Sequence, residues 1–269
     1  MKKTVILVLI LLVLIFSFSY SKISIYDAKA DKPISFVSVS RLNSVSHTDY
    51  YGNLSFFRTA LPEKVKLSRI GYKGKIVQLP FSLFFSSKKF LLDTANYAEV
   101  QSEILESLKK ATSYEYSYHL TVSGKSNNNQ TITAKFNNGN FFFENSSDFT
   151  NTHIKVWFIN GKMYESKNGG YVIGPLTEQE RQALSQKSIV FLPITDLVSS
   201  IFPLEMPSKI KNENDTLSFT WNNESMEIKV SEENYPELIT LDSNDIENNT
   251  TYKLILKIEN VNRKMKIEK

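Results

Sequence analysis

The strict alternation from Tyr114 to Val122 constrains the fold more than any other stretch of this chain. Tyr114, Tyr116, Tyr118, Leu120 and Val122 fall on one side; Glu115, Ser117, His119 and Thr121 fall on the other. Successive side chains of a strand point to opposite faces, so the pattern calls for a strand with one packed face and one wet face. The same period recurs in Ile132–Phe136 and in Tyr252–Ile258, where Lys253 and Lys257 oppose Tyr252, Leu254, Leu256 and Ile258. Short Asn-rich breaks at 126–129, 137–140, 167–170, 221–224 and 248–251 separate such runs. Asn tolerates left-handed backbone and makes tight turns. Asn138-Gly139 is the strongest hairpin signal, because both central turn positions accept positive φ. Phe141–Phe143 follow it, and Ile154–Ile159 and Met163-Tyr164 flank Asn160-Gly161. With Leu217–Trp221, Met226–Val230 and Leu238–Leu241, the expectation is an antiparallel meander of seven or more strands.

Helices are few. Asn96 followed by Glu99 is a capping-box pattern. Val100, Ile104, Leu105, Leu108 and Ala111 recur at helical spacing, with glutamates early and Lys109-Lys110 late, as the helix dipole favours. This predicts an amphipathic helix over 97–111. Thr177 with Glu180 repeats the box and predicts a short helix to about Gln186; Thr195–Ile201 add a turn or two, closed by Pro203. Residues 33–92 hold possible strands at 34–39, 54–57, 75–79 and 83–85, interrupted by Pro33, Pro62 and Pro80. Short strands joined by tight turns also suit a β-sandwich.

The first residues carry an address. Lys2 and Lys3 lead into the apolar run Val5–Phe16, followed by Ser17-Phe-Ser-Tyr-Ser21, the layout of an export signal. Eighteen uncharged residues separate Lys3 from Lys22, against roughly 17 to 20 for a membrane-crossing helix. Residues 1–21 are therefore either a signal peptide, with Ser19 and Ser21 at the cleavage site, or an N-terminal membrane anchor. The absence of cysteine excludes disulfides, thiolate metal sites and thiol nucleophiles. Charge is uneven: residues 22–92 carry 12 basic and 4 acidic groups, residues 205–269 carry 9 and 13. The basic third suits either anionic headgroups or plain solvation.

Catalytic patterns are weak. His47, His119 and His153 have no second histidine or carboxylate at ligand spacing, so no metal site is expected. Ser86-Ser-Lys-Lys89 lacks the companion motifs of a serine–lysine enzyme, and Gly169-Gly170 lacks a phosphate loop's lysine. Aromatic residues are the remaining oddity, with 18 Phe, 13 Tyr and 2 Trp, more than one sheet face commonly needs. Tyr114, Tyr116, Tyr118, Phe136, Phe141, Phe143 and Trp157, with Ile104 and Leu108 on the helix, either form an ordinary core or line an apolar cavity. Rigid aromatic rings suit the second role because they keep such a cavity open.

The order of elements resembles the LolA/LppX-type superfamily of envelope lipid and lipoprotein carriers. The resemblance rests on the export signal and on a helix at 97–111 running directly into Ser113–Val122. It continues through Thr131–Phe136, Phe141–Glu144 and Lys155–Tyr164, an interruption after Pro175, and the closing segments Met226–Val230, Tyr235–Ile239 and Tyr252–Ile258. It implies a mainly β fold with a few helices: a strongly curved antiparallel half-barrel over 95–262, covered by helices. Residues 22–94 would be an N-terminal extension or small β subdomain, and 263–269 a basic tail. The implied role is non-enzymatic, without cofactor or metal. A lipid or acylated protein would bind in the cavity, with membrane surface contact and no nucleic acid, in the periplasm or on the extracytoplasmic face of the membrane. The alternative is an envelope interaction or scaffold domain with no ligand.

Overall fold

The computed structural model describes residues 18–124, 127–167, 193–213, 215–265 and 267; the helix expected at 177–186 lies outside them. The chain forms two compact units. One runs to Val100 and includes Glu232–Asn234; the other comprises Gln101–Ser231 and Tyr235–Lys269.

The N-terminal unit has seven strands: β1 (Phe18–Asp27), β2 (Ser38–Arg41), β3 (Ser44–His47), β4 (Asn53–Thr59), β5 (Glu63–Arg69), β6 (Tyr72–Leu79) and β7 (Phe85–Leu92). They form two sheets, ordered β4-β1-β7 and β3-β2-β5-β6. β1 is central, antiparallel to β4 and parallel to β7. Ile23 and Ile25 of β1 join Val39, Val65, Leu67, Val77 and Leu79 of the other sheet in one buried cluster. Gly52 makes this packing possible. Its φ is +71°, and a Cβ there would meet the Ile25 carbonyl oxygen at 2.6 Å and that of Ile34 at 2.9 Å, so only glycine fits.

β1 begins at Phe18, inside the segment that the sequence assigns to export, so the Ser21–Lys22 boundary falls within a strand. Ser21 is fully buried and holds Arg58, itself only 2% exposed. The Arg58 guanidinium donates from Nε to Ser21 Oγ (2.7 Å), from Nη1 to the carbonyls of Thr59 (3.1 Å) and Leu61 (2.7 Å), and from Nη2 to that of Pro80 (2.6 Å). Burial lowers its pKa. The four acceptors compensate for lost water, as a buried cation requires.

The C-terminal unit is built on one sheet. Helix α1 (Tyr97–Lys109) leads in from the N-terminal unit. Its capping box is formed: the Asn96 amide donates to Glu99 Oε2 (2.8 Å) and the Glu99 amide to Asn96 Oδ1 (2.9 Å). A first meander follows: β8 (Ser113–Ser123), β9 (Asn128–Asn137), β10 (Asn140–Ser147), β11 (Thr152–Ile159) and β12 (Lys162–Lys167). After α2 (Ile194–Ile201) comes a second: β13 (Lys209–Glu213), β14 (Thr216–Thr220), β15 (Glu224–Val230), β16 (Pro236–Asp245) and β17 (Thr250–Glu259). β8 pairs with β17, giving the order β12-β11-β10-β9-β8-β17-β16-β15-β14-β13, antiparallel throughout. Among the described residues the sheet is open, with β12 and β13 as edges. This is the expected half-barrel, since the twist of ten strands accumulates into curvature; a two-sheet sandwich is excluded for this unit.

The asparagine breaks act as expected. Asn138 and Gly139 have φ of +47° and +83°, Asn160 and Gly161 +51° and +77°. Both central residues of each two-residue loop are left-handed, the conformation that matches the twist of a hairpin. These turns fix Asn137 opposite Asn140 and Ile159 opposite Lys162.

Candidate functional site

The register of the large sheet assembles one continuous apolar face. Across four strands, Tyr114 (β8) stands opposite Phe136 (β9), Phe136 opposite Phe141 (β10), and Phe141 opposite Phe158 (β11). The next row runs Ile258, Tyr116, Ala134, Phe143 and Val156. The following one contains Ile132, Tyr118, Leu256, Ile239, Ile228 and Leu217. The rings of the first row stack: Tyr114 on Phe136 with centroids 5.1 Å apart, Phe141 on Phe158 at 5.3 Å. Aromatic pairs at such spacing add to the stability that burial alone confers.

The face is unevenly covered. Tyr114, Tyr116 and Phe143 are buried, whereas Tyr118, Phe136, Phe141 and Phe158 are only half-buried. Over the buried part lies α2. Its residues Ile194, Leu197, Val198 and Ile201 fall on one stripe and are all buried. The Ile194 amide donates to the Tyr114 hydroxyl at 3.5 Å, fixing the first turn of α2 beside β8. Ile104 and Leu108, one turn apart on α1, are buried as well. Burial raises the pKa of the Tyr114, Tyr116 and Tyr118 phenols, most strongly for Tyr116. The three hydroxyls are therefore neutral across the physiological range, and the first row presents dipoles but no charge; the nearest charge on this face is at the β12 edge, where Glu165 stands opposite Val156.

Trp157 does not share this face. It lies opposite Phe142 and Tyr164, so its parity places it on the other side, packed on Phe142 with centroids 5.3 Å apart. Phe158 takes the place that the sequence assigned to Trp157. Around this aromatic pair the opposite side is polar: Lys135 pairs with Glu115 at 3.0 Å, and Glu144 accepts from His153 at 2.7 Å and Lys155 at 3.1 Å. The Glu144–His153 pair is invisible in sequence spacing and comes from cross-strand pairing of β10 with β11. Burial pushes the Glu144 pKa up, but the bonds from His153 and Lys155 outweigh it and hold the carboxyl below its usual range. No nucleophilic hydroxyl is bonded to this pair among the described contacts. His119 bonds Thr131 across β8 and β9 (3.0 Å). No group of three or more potential metal ligands occurs among the described residues. Two clefts of about 590 and 660 Å³ flank the β14–β15 turn and share Trp221–Glu224; neither is lined by the aromatic face.

No family model and no curated protein matches the sequence. Among solved structures, the chain is similar to a LolA superfamily protein of Nitrosomonas europaea, at 8% identity and a TM-score of 0.29, covering 65% of this chain and 96% of the other. It is also similar to a DUF1329 family protein of Desulfovibrio piger, at 8% identity and a TM-score of 0.25, covering 62% and 93%. At these values the likeness is diffuse, and the chemistry of the site has to come from its own residues.

Proposed function

We propose that the C-terminal unit is a non-enzymatic envelope binder that accepts the acyl chain of a lipid or lipoprotein on the aromatic face of its open sheet. The observation that carries this reading is the row Tyr114–Phe136–Phe141–Phe158, apolar, uncharged and half-buried beyond Tyr114. Strands lie ~4.8 Å apart, so the row spans roughly 14 Å. Each methylene laid on it contributes ~0.8 kcal/mol, so three or four are worth about two powers of ten in affinity. Such binding asks for no covalent step, in keeping with neutral phenols and a polar side occupied by ion pairs.

The test is native mass spectrometry of gently extracted protein. Co-purified lipid is expected, lost in Phe141→Ser and retained in Trp157→Ser, whose side chain lies on the other face. Absence of lipid from the wild type, or equal loss in both variants, rejects the carrier. A second reading draws on the burial of Tyr114, Tyr116 and Phe143: the face is filled by the protein's own helices and the unit is an interaction scaffold. In that case no lipid co-purifies, and Phe141→Ser lowers stability alone.

A further inference from the structure

Where the chain enters the β4-β1-β7 sheet, aromatic side chains face water instead of the core. Phe57, Tyr20 and Phe85 stand side by side in register on one face. Tyr20 packs on Phe57 with centroids 5.4 Å apart and on Phe85 at 6.0 Å, yet all three remain exposed, Phe57 at 66%. Residues 80–84 add Phe81 and Phe84, the latter 79% exposed. They are held at this same end, because the Tyr20 amide donates to the Phe84 carbonyl (2.8 Å) and the Ser82 amide to that of Ala60 (3.0 Å). A contiguous exposed patch of this kind marks a site of interaction. Two residues further along β1 the face changes character: Lys22 lies between Ser55 and Ser87, and beside Ser24 follows Lys89, which is paired with Asp31 at 2.6 Å. Aromatic rings first and a lysine, Lys22, next is the order found across the interface of an anionic bilayer. The excess of 12 basic over 4 acidic groups in residues 22–92 has the matching sign.

The chain ahead of the patch selects the occupant. Thr4 to Ser17 is a stretch of 14 uncharged residues that joins β1 with no intervening linker. Cleavage after Ser21 would remove four residues of the central strand, among them the Ser21 hydroxyl that Arg58 requires. Because β1 follows this apolar run directly in sequence, its retention in the bilayer would hold the aromatic end of the sheet at the membrane surface. We infer that residues 4–17 stay on the protein as a tether and that the Phe57–Tyr20–Phe85 row, with Phe81 and Phe84, rests in the bilayer interface.

Because the chain has no cysteine, a fluorophore can be placed on Phe84→Cys and, separately, on Leu91→Cys. Leu91 is exposed on β7, roughly 20 Å along the strand from the aromatic row. The full chain, with Met1 intact, is reconstituted into phosphatidylcholine–phosphatidylglycerol vesicles. The expected result is loss of emission at position 84 with brominated acyl chains and protection from aqueous iodide, and the reverse at 91. A Phe81→Cys label repeats the reading should Phe84→Cys fail to fold. Equal iodide access at 84 and 91 overturns the inference. So does protection of 84 without vesicles, which would mean that a second copy or the chain's own residues 4–17 cover the patch. Envelope-extracted protein whose first residue is Phe18 or later overturns it as well.

Discussion

In the N-terminal unit a second sheet closes the apolar face of the first, and Ile23 and Ile25 meet Leu67 and Leu79 in a dry core. In the C-terminal unit the ten strands of the described residues lie in one sheet, and its apolar side meets a helix over Tyr114 but leaves Phe136, Phe141 and Phe158 half-buried. Two facing sheets satisfy each other, so whatever such a unit binds must be met at its rim. A single open sheet has an inner face that something else must fill. The same residue types thus serve as core in one unit and as a receptive surface in the other.

The largest expected effect tests how far the open face behaves as core. Tyr116 is 1% exposed, and Tyr116→Ala should cost about 3–5 kcal/mol, as large aromatic truncations do. Both tryptophans, Trp157 and Trp221, belong to this unit, so denaturant unfolding followed by tryptophan emission reads it alone. A cost under about 1 kcal/mol would mean that the face is loosely filled even at its centre. Next in size is Arg58→Met, which strips three backbone carbonyls and Ser21 of their donor. A loss of about 3 kcal/mol is expected in the N-terminal unit, read by hydrogen exchange at the Ile23 and Ile25 amides, with tryptophan emission unmoved. If both signals shift together, the two units do not unfold independently.

A finer comparison sets two serines of one strand against each other. Ser21→Ala removes an acceptor from a buried cation and should cost about 1–2 kcal/mol. Ser19 is equally buried, but its hydroxyl has no hydrogen-bond partner, so Ser19→Ala should be neutral or slightly stabilising by the same amide-exchange measurement. The smallest effect concerns pH. Burial, then the charge of Arg69, lowers the His47 pKa, against a smaller opposing pull from Glu233. The folded state binds this proton less readily than the unfolded chain. Stability is therefore complete above the unfolded value of about 6.5 and declines as pH falls from there toward the folded value. His47→Gln should flatten that decline; an unchanged slope would assign it to other groups.

Much of the large sheet was legible because its turns announce themselves. Asn138-Gly139 and Asn160-Gly161 can hardly be anything but two-residue hairpins, and each fixes a register by itself. The Asn96–Glu99 box placed α1 for the same reason. The β10–β11 connection carries no such signal: Asp148–Asn151 is a four-residue loop with Asn151 at φ +46°. Without its length, the choice between Trp157 and Phe158 for the inner face is a choice of parity, and a shift of one residue exchanges the faces. The N-terminal unit was less legible. β1 lies at the margin of the export segment, where its apolar residues read as signal, and β5 (Glu63–Arg69) alternates charge with apolar residues over a short span. A central strand parallel to β7 is set by contacts distant in sequence, which local pattern cannot reveal.

The pairing of β8 with β17 has a consequence for how the large sheet comes together. Every other pairing within it joins strands that are neighbours in sequence, so each meander can form from local hairpins. The seam alone brings together segments such as Ser123 and Thr251, 128 residues apart, and bears the largest single loop-closure cost in the sheet. Contacts of that range are slow to form. During synthesis from the N-terminus, β8 therefore stands with a bare edge until the last strand has been made, and the tyrosine-striped strand at the middle of the finished sheet is the one that waits longest for its neighbour.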